Sequence, residues 1–253
     1  MRKECLKKHS FFDIIQKEIG QKEVVICGKY VGIIVAMQEE LEQIRDIMKT
    51  VKVKQIDNLN FYEGTIHRKN YVIVKSGIGK VNAARTTQVM IDQYNLDYIL
   101  NIGSAGALHD DLDLYDFILG KDVVQHDFDI TAFGHEKGYI TDIGTRFHSS
   151  EILMDQYKKR IQGLKNGSSK VKIGMIATGD KFLTDMKSKE ILKDEFNADC
   201  VEMEAAAVGQ VCTLCGIPFI AIKAVSDKCK RRKPYTICGV YQESFKKVRR
   251  IDQ

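Results

Sequence analysis

Residues 31–46 read VGIIVAMQEELEQIRD, and this stretch contains the change from strand to helix that sets the fold class. Its first six residues are apolar or glycine, which is typical of a strand that is buried on both faces. Three acidic residues, Glu39, Glu40 and Glu42, follow where the pattern becomes helical. A buried strand is therefore predicted to end beside a pair of carboxylates.

Outward from this stretch, short β-rich runs alternate with helical patterns. Strands are predicted at 31–36, 61–66, 71–76, 98–103, 117–125, 171–178 and 219–225. Helices are predicted near 38–48, 80–94, 150–163, 187–195 and 203–215. The run 61–76 also has the pattern of a hairpin with its turn at 68–70. The sequence therefore predicts an α/β sandwich, with helices on both faces of a mixed sheet.

The composition fits one globular domain. The chain has 253 residues, of which 44% are hydrophobic, and it has no segment typical of an interdomain linker. We expect a single domain over 31–253, preceded by an extension, 1–30, that contributes a packed helix. Residues 228–253 hold nine Lys or Arg and two acids, so the rest of the chain is mildly acidic. A solvated basic tail is favoured there over a nucleic-acid interface.

Cysteine and histidine usage excludes several classes of site. The seven cysteines have no regular spacing, and the N-terminus lacks the pattern of a signal peptide, so we expect reduced thiols in a cytoplasmic protein. No apolar run is long enough to predict a membrane span. The six histidines form neither HxH nor HExxH, so no metal site is predicted.

Acidic and small residues collect at the predicted strand ends, where ligands of α/β folds bind. These ends are AMQEE (36–40), SGIGK (76–80), NIGSAGAL (101–108), ATGDKFL (177–183), VEMEAAA (201–207) and AVSDK (224–228). The small residues of NIGSAGAL suit either a packing turn or close approach of main-chain amides to a ligand. The loop at Gly77 lacks the spacing of a P-loop, so a tight turn between strand and helix is favoured.

Each acidic residue also has an ordinary structural explanation. Glu39 and Glu40 suit the first turn of a helix, and for Glu39 we accept that interpretation. Asp227 could cap a helix. Glu202 and Glu204 would share one side of an extended segment.

Seven ordered segments together resemble the 5′-methylthioadenosine/S-adenosylhomocysteine nucleosidases of the purine nucleoside phosphorylase-like superfamily. They are GIIVAMQEEL, KSGIGKVNAA, NIGSAGAL, DITAFG, TGDKF, VEMEAAA and AVSD, and they fall within 31–227. The resemblance implies a three-layer αβα sandwich, a homodimer and no cofactor. It also implies hydrolysis of the bond between adenine and a 5′-thioribose, in methionine salvage and in recycling of methyl-transfer by-products. 5′-Deoxyadenosine is a further expected substrate.

The resemblance also assigns roles that suit this chemistry, because breaking a glycosidic bond leaves positive charge on the sugar and negative charge on the base. Glu40 would activate the attacking water. Asp227 would protonate or hydrogen-bond adenine N7, with Ser226 orienting it. Glu204, with the Met203 main chain, would accept hydrogen bonds from the ribose hydroxyls.

The remaining substrate contacts are also implied by matched position. Phe182 and Leu183 would bind the purine, with Ile130 packing from the other side. Met37 would contact the sugar and the sulfur. Further contacts are implied for Ser104, Ala105, Gly106 and Glu202, and a neighbouring subunit would contribute Phe133 and His135.

The chain departs from the family pattern in two places. Lys223 stands where family members commonly have arginine near the water site, and lysine lacks arginine's planar fork. After Asp227 the match ends, so Tyr235 and Ile237 are only candidates for covering the 5′ substituent. Two alternatives therefore remain: a phosphate-dependent phosphorylase, which a carboxylate at position 40 disfavours, and a catalytically weak protein that binds adenine nucleosides.

Overall fold

The computed structural model describes residues 30–162 and 170–227. That part of the chain contains ten strands, five α-helices and one turn of 3₁₀ helix. In chain order they are β1 (Tyr30–Val35), α1 (Gln38–Arg45), β2 (Lys49–Ile56), β3 (Leu59–Ile66), β4 (Lys69–Lys75), α2 (Lys80–Gln93), β5 (Leu96–Ala107), β6 (Phe117–Gln125), the 3₁₀ turn (Thr131–Phe133), β7 (Arg146–His148), α3 (Glu151–Gln162), β8 (Val171–Thr178), α4 (Met186–Phe196), β9 (Cys200–Glu202), α5 (Ala205–Cys215) and β10 (Phe219–Asp227). The expected N-terminal helix and basic tail lie outside the described residues.

All ten strands form one mixed sheet. Its order is β10-β6-β8-β9-β5-β1-β4-β3-β2, with β7 paired to β6. Strand β10 also pairs with β5, so β5, β10, β6, β8 and β9 close into a ring, while β1 to β4 continue it as an open sheet. Strands β1 and β10 both run parallel to β5, which brings their carboxyl ends to the same edge of the sheet.

Helices cover both faces of the sheet, as predicted. Helices α2 and α5 pack on one face, through buried residues that include Met90 and Cys212. Helices α1 and α3 pack on the other face, through residues that include Leu41 and Leu153. A smaller apolar cluster lies under α4, whose Leu192 it contains. The predicted α/β class and three-layer arrangement are therefore confirmed.

The seven predicted strands and five predicted helices are all present, but three strands were not predicted. Strand β2 is exposed along almost its whole length: Val51 and Val53 alternate with lysines and share one face, but that face is open to solvent instead of packing on the core. Strands β7 and β9 have three residues each, which is too short for a periodic signal. All three exist because neighbouring strands pair with them.

Two local expectations were wrong, and one open alternative is decided. Of the two explanations for the small residues of NIGSAGAL, the packing turn is excluded, because β5 runs through this segment and pairs with β10 up to Gly106 and with β9 at Gly106 and Ala107. The hairpin turn lies at His67 and Arg68, both with positive φ, instead of at 68–70. Glu202 and Glu204 do not share one side of an extended segment, because β9 ends at Glu202 and α5 begins after Glu204.

Candidate active site

Glu40 is held by the main chain at the end of β1. Its Oε2 accepts hydrogen bonds from the amides of Ala36 and Met37, at 3.0 and 3.1 Å. The side chain is buried, whereas Glu39 on the same turn of α1 is exposed. Burial raises the pKa of the Glu40 carboxyl, opposed by the charge of Lys223 and by these amides. A carboxyl of raised pKa is a stronger base once it is ionised.

A buried ion pair lies beneath this carboxylate. Lys223 Nζ is 2.8 Å from Glu202 Oε2, and both side chains are 2% exposed. Burial alone lowers the pKa of Lys223, but the nearby carboxylates of Glu202, Glu204 and Glu40 outweigh it and raise the pKa. Lys223 therefore remains charged and faces three carboxylates.

Glu202 has a structural position within this cluster. It accepts hydrogen bonds from the Thr178 hydroxyl and from the amides of Glu204 and Ala205 at the start of α5. With Lys223 also bound, the carboxylate connects β8, β9, β10 and α5. These contacts fix the bend after β9 that turns Glu204 away from Glu202.

Glu204 connects the segment after β9 to the start of α2. Its Oε1 accepts a 2.9 Å hydrogen bond from the amide of Gly79, at the start of α2. Burial raises the pKa of Glu204 to about 7, and the charge of Glu202 adds to the effect while Lys223 opposes it. This carboxyl therefore changes its protonation state near neutral pH.

Asp227 lies at the carboxyl end of β10, and any helix that it could cap would lie outside the described residues. Its register partner on β5 is Gly106, and a Cβ at Gly106 would lie 2.8 Å from Asp227 Oδ1. Lys189 Nζ donates to Asp227 Oδ2 over 2.9 Å. Ser226 was expected to orient Asp227, but its Oγ donates to the Ala105 carbonyl at 3.3 Å. The side chain that holds the Asp227 carboxylate is Lys189.

One cleft joins these groups. It is lined by most of the residues named from the sequence: Met37, Glu40, Ser104, Ala105, Gly106, Phe182, Leu183, Glu202, Met203, Glu204, Ser226 and Asp227. The wall also includes Ile78, Lys181 and Lys223. Phe182 is 53% exposed and Leu183 is buried, so one apolar wall remains open to a ligand.

The sequence matches known proteins over most of its length. Residues 30–251 match the family model described as the phosphorylase superfamily. The chain is 38% identical over 201 residues to the 5′-methylthioadenosine/S-adenosylhomocysteine nucleosidase of Geobacillus sp. (strain WCH70), covering 78% of this chain and 84% of that protein. The chain belongs to this nucleosidase family, within the phosphorylase superfamily.

Solved structures of family members have the same fold. The nucleosidase from Neisseria meningitidis, in complex with methylthio-immucillin-A, is 34% identical with a TM-score of 0.77, covering 87% of this chain and 91% of that chain. The nucleosidase from Colwellia psychrerythraea 34H, in complex with adenine, is 32% identical with a TM-score of 0.80, with the same coverage. The family resemblance inferred from the seven segments is therefore confirmed.

Three residues named from the sequence lie away from the cleft lining. Ile130, Phe133 and His135 belong to the connection between β6 and β7, which contains the 3₁₀ turn. Phe133 is 81% exposed, and His135 stacks on Tyr139 with ring centroids 4.5 Å apart. A single copy of the chain does not bring Phe133 and His135 to its own cleft.

Sequence reasoning missed two charged residues at the site: Lys181, which lines the cleft, and Lys189. The signal for Lys189 is present in the sequence, because Leu192 and Phe196 mark the buried face of α4 and position 189 has the same helical phase. A lysine in an apolar phase indicates a buried partner. That partner, Asp227, is 38 residues away, so no local pattern could identify it.

Other kinds of site find no support in the described residues. Within 30–162 and 170–227, no group of three or more His, Cys, Asp or Glu side chains could hold a metal ion. No helix in the same ranges is both long enough and apolar enough to cross a membrane.

Proposed function

We propose that this protein hydrolyses the N-glycosidic bond of 5′-methylthioadenosine and S-adenosylhomocysteine, and also of 5′-deoxyadenosine, releasing adenine and the 5′-substituted ribose. The observation that carries the proposal is the convergence of Glu40, Glu204 and Asp227, from three distant segments, on one cleft. Membership of the nucleosidase family supports the substrate class.

Glu40 is the general base in this proposal. Its carboxylate takes a proton from water, and the resulting hydroxyl bonds to C1′ as the bond from C1′ to N9 breaks. The amides of Ala36 and Met37 fix the carboxylate, and they and the buried charge of Lys223 favour its ionised form against the burial that raises its pKa. A positioned base of this kind contributes roughly 10²- to 10⁴-fold to the rate.

Asp227 and Glu204 act on the two sides of the breaking bond. Asp227 gives a proton or a hydrogen bond to N7, so that the departing purine does not leave as a bare anion. Glu204 accepts hydrogen bonds from the ribose hydroxyls, which a carboxylate can do with both oxygens. Phe182 and Leu183 form the apolar wall for the purine, and Met37 lies where the sugar and its 5′ sulfur would pass.

A phosphorylase fits this cleft less well, because the donors that phosphate would need are already bound to carboxylates. At the start of α2, the Gly79 amide donates to Glu204 and the Lys80 amide donates to Asp180. The ammonium of Lys80 is paired with Asp127 at 2.5 Å. With Glu40 also facing the cleft, an incoming phosphate would meet carboxylates instead of free donors.

A homodimer completes the proposed site. Phe133 projects from the molecule with 81% of its surface exposed, which is unusual for a large apolar side chain on a loop beside a ligand cleft. In this arrangement Phe133 and His135 of one copy cover the 5′ pocket of the other. Ile130 lies outside the cleft lining, so its predicted contact with the purine forms no part of this proposal.

The function is tested by measuring adenine release from methylthioadenosine and S-adenosylhomocysteine, with and without phosphate. We expect turnover in water that phosphate does not increase. Glu40→Gln and Asp227→Asn should each reduce turnover by about 10²-fold or more. Glu39→Gln is the matched control, because Glu39 is adjacent, exposed and expected to have no role. Turnover that requires phosphate would contradict the proposal.

A further inference from the structure

A buried lysine contacts the carboxylate that is proposed to assist the departing purine. Lys189 on α4 has 7% of its side chain exposed, and its Nζ lies 2.9 Å from Asp227 Oδ2. Asp227 is 42% exposed and lines the cleft, whereas Lys189 is not among the lining residues. The ammonium therefore binds one carboxylate oxygen from behind the cleft wall.

Stability is a poor explanation for this lysine. Leu192 and Phe196 follow on the same face of α4 and are buried, so position 189 is one where an apolar side chain would pack. Burying an ammonium has a desolvation cost, and a pair whose carboxylate is half open to solvent recovers little of it. A role in the chemistry at Asp227 explains the charge better.

We propose that Lys189 is a positioning residue for Asp227: it holds Oδ2, leaves Oδ1 for the purine, and stabilises the carboxylate that remains after the proton has moved to N7. The inference rests on the proposed function. The proton on the Asp227 carboxyl passes to N7 as the electron pair of the bond from C1′ to N9 moves to the purine. Asp227 is then an anion paired with the Lys189 ammonium.

The geometry at β5 supports this orientation. Gly106 lies opposite Asp227 in the register, and Oδ1 occupies space that a Cβ at Gly106 would approach within 2.8 Å. One oxygen is thus bound to Lys189, and the other lies over a residue without a side chain. Gly106 therefore leaves room for Oδ1 while Lys189 holds Oδ2.

The ammonium should act on catalysis through the position and the charge of Asp227. Without Lys189, the carboxyl group loses the contact that holds Oδ2 and the positive charge that faces the carboxylate after proton transfer. The other charged groups lining the cleft are unchanged in such a variant: Glu40, Lys181, Glu202, Glu204 and Lys223.

The test compares Lys189→Met with Lys193→Met, a matched change at an exposed lysine one turn further along α4. We expect Lys189→Met to lower kcat for methylthioadenosine by about tenfold or more, with KM within about twofold. Lys193→Met should change neither. In an Asp227→Asn background, Lys189→Met should cause no further loss of turnover, because it acts through Asp227.

Three results would overturn the inference: wild-type kcat in Lys189→Met, losses that add in the double variant, or an equal loss of kcat in Lys193→Met. Adenine affinity, measured by calorimetry, separates this inference from the proposed function. If the protein binds adenine without hydrolysing nucleosides, a weaker affinity in Lys189→Met alone still supports the contact. Equal affinities, or no adenine binding, would contradict it.

Discussion

Glu204 illustrates how one residue can serve binding at the expense of stability. Its pKa in the folded protein is about 7, against an ordinary value of 4.5, so the folded state binds more protons than the unfolded state between these values. Stability therefore falls as pH rises from about 4.5 to about 7. At higher pH Glu204 is ionised, and burying its carboxylate, beside that of Glu202, destabilises the folded state by the full amount. A residue that destabilises the fold in this way is explained by the proposed role in binding.

Replacing Glu204 by glutamine should therefore stabilise the protein at alkaline pH while weakening nucleoside binding. At 1.36 kcal/mol per pKa unit, the gain in unfolding free energy at pH 8 should be at most about 3 kcal/mol, and it should vanish near pH 4.5. Thermal unfolding of Glu204→Gln and wild type at both pH values measures it. Glu39→Gln is the control, since its exposed side chain should give no such pH-dependent difference. A gain that is equal at both pH values would contradict the assigned origin.

At the scale of single residues, most of the residues that line the cleft could be predicted from the sequence, because the acidic residues of the cleft follow predicted strands. Glu40 could be separated from Glu39 only by the family resemblance, since both suit the first turn of a helix. The structure supplies the physical difference, because the Glu40 carboxylate folds back onto the Ala36 and Met37 amides. Lys189 was not identified, because its partner is remote along the chain.

At the scale of elements, the pairing of β5 with β10 places the catalytic groups. Position 106 lies opposite Asp227, and position 103 lies opposite Lys223. Both are glycines, and a Cβ at Gly103 would lie 3.2 Å from Glu40 Oε1. Because glycine has no side chain, β5 leaves room at these two positions for the carboxylates of Glu40 on α1 and Asp227 on β10. The sequence predicted this strand as far as Gly103, but it did not show that the strand continues through Gly106.

Substituting Gly106 with alanine should displace the Asp227 carboxylate, because the new methyl group would lie 2.8 Å from Oδ1. The obstructed atom is at the end of a side chain, so the side chain should move and the strand should remain. We expect kcat to fall by about tenfold or more, with a change in unfolding free energy below about 1 kcal/mol. Gly106→Val should lower kcat further. Wild-type kcat in both variants would show that Asp227 does not need its present position.

The elements themselves were predictable wherever the apolar pattern was strong. Strand β1 is buried from Val31 to Val35, and its continuous apolar run predicted it. Strand β2 could not be found, because its residues face solvent and only pairing with β3 orders it. The closure of β5, β10, β6, β8 and β9 into a ring is a property of register, which periodicity along one strand does not contain.

At the scale of the whole molecule, the cleft depends on contacts between segments that are far apart in the chain. Asp127 joins two loops: its carboxylate accepts from Lys80 at the start of α2 and from the Asp180 amide after β8. The loop that carries Ile130 and Phe133 begins just beyond Asp127. The exposed Phe133 is thus attached to a segment that Asp127 ties to the loop carrying Phe182.

If two copies share their sites, inactive variants should restore each other. We expect Phe133→Ala and Glu40→Gln each to lose about tenfold or more of the turnover as pure dimers. In a mixed dimer, the subunit with Phe133→Ala keeps its own Glu40 and receives Phe133 from its partner, so one intact site forms. Random mixing of a symmetric dimer should therefore restore about a quarter of the wild-type sites. A mixture of Glu40→Gln with Asp227→Asn is the control, because both groups belong to one chain's site and no intact site can form. Restoration in that control, or none in the first mixture, would contradict a shared site.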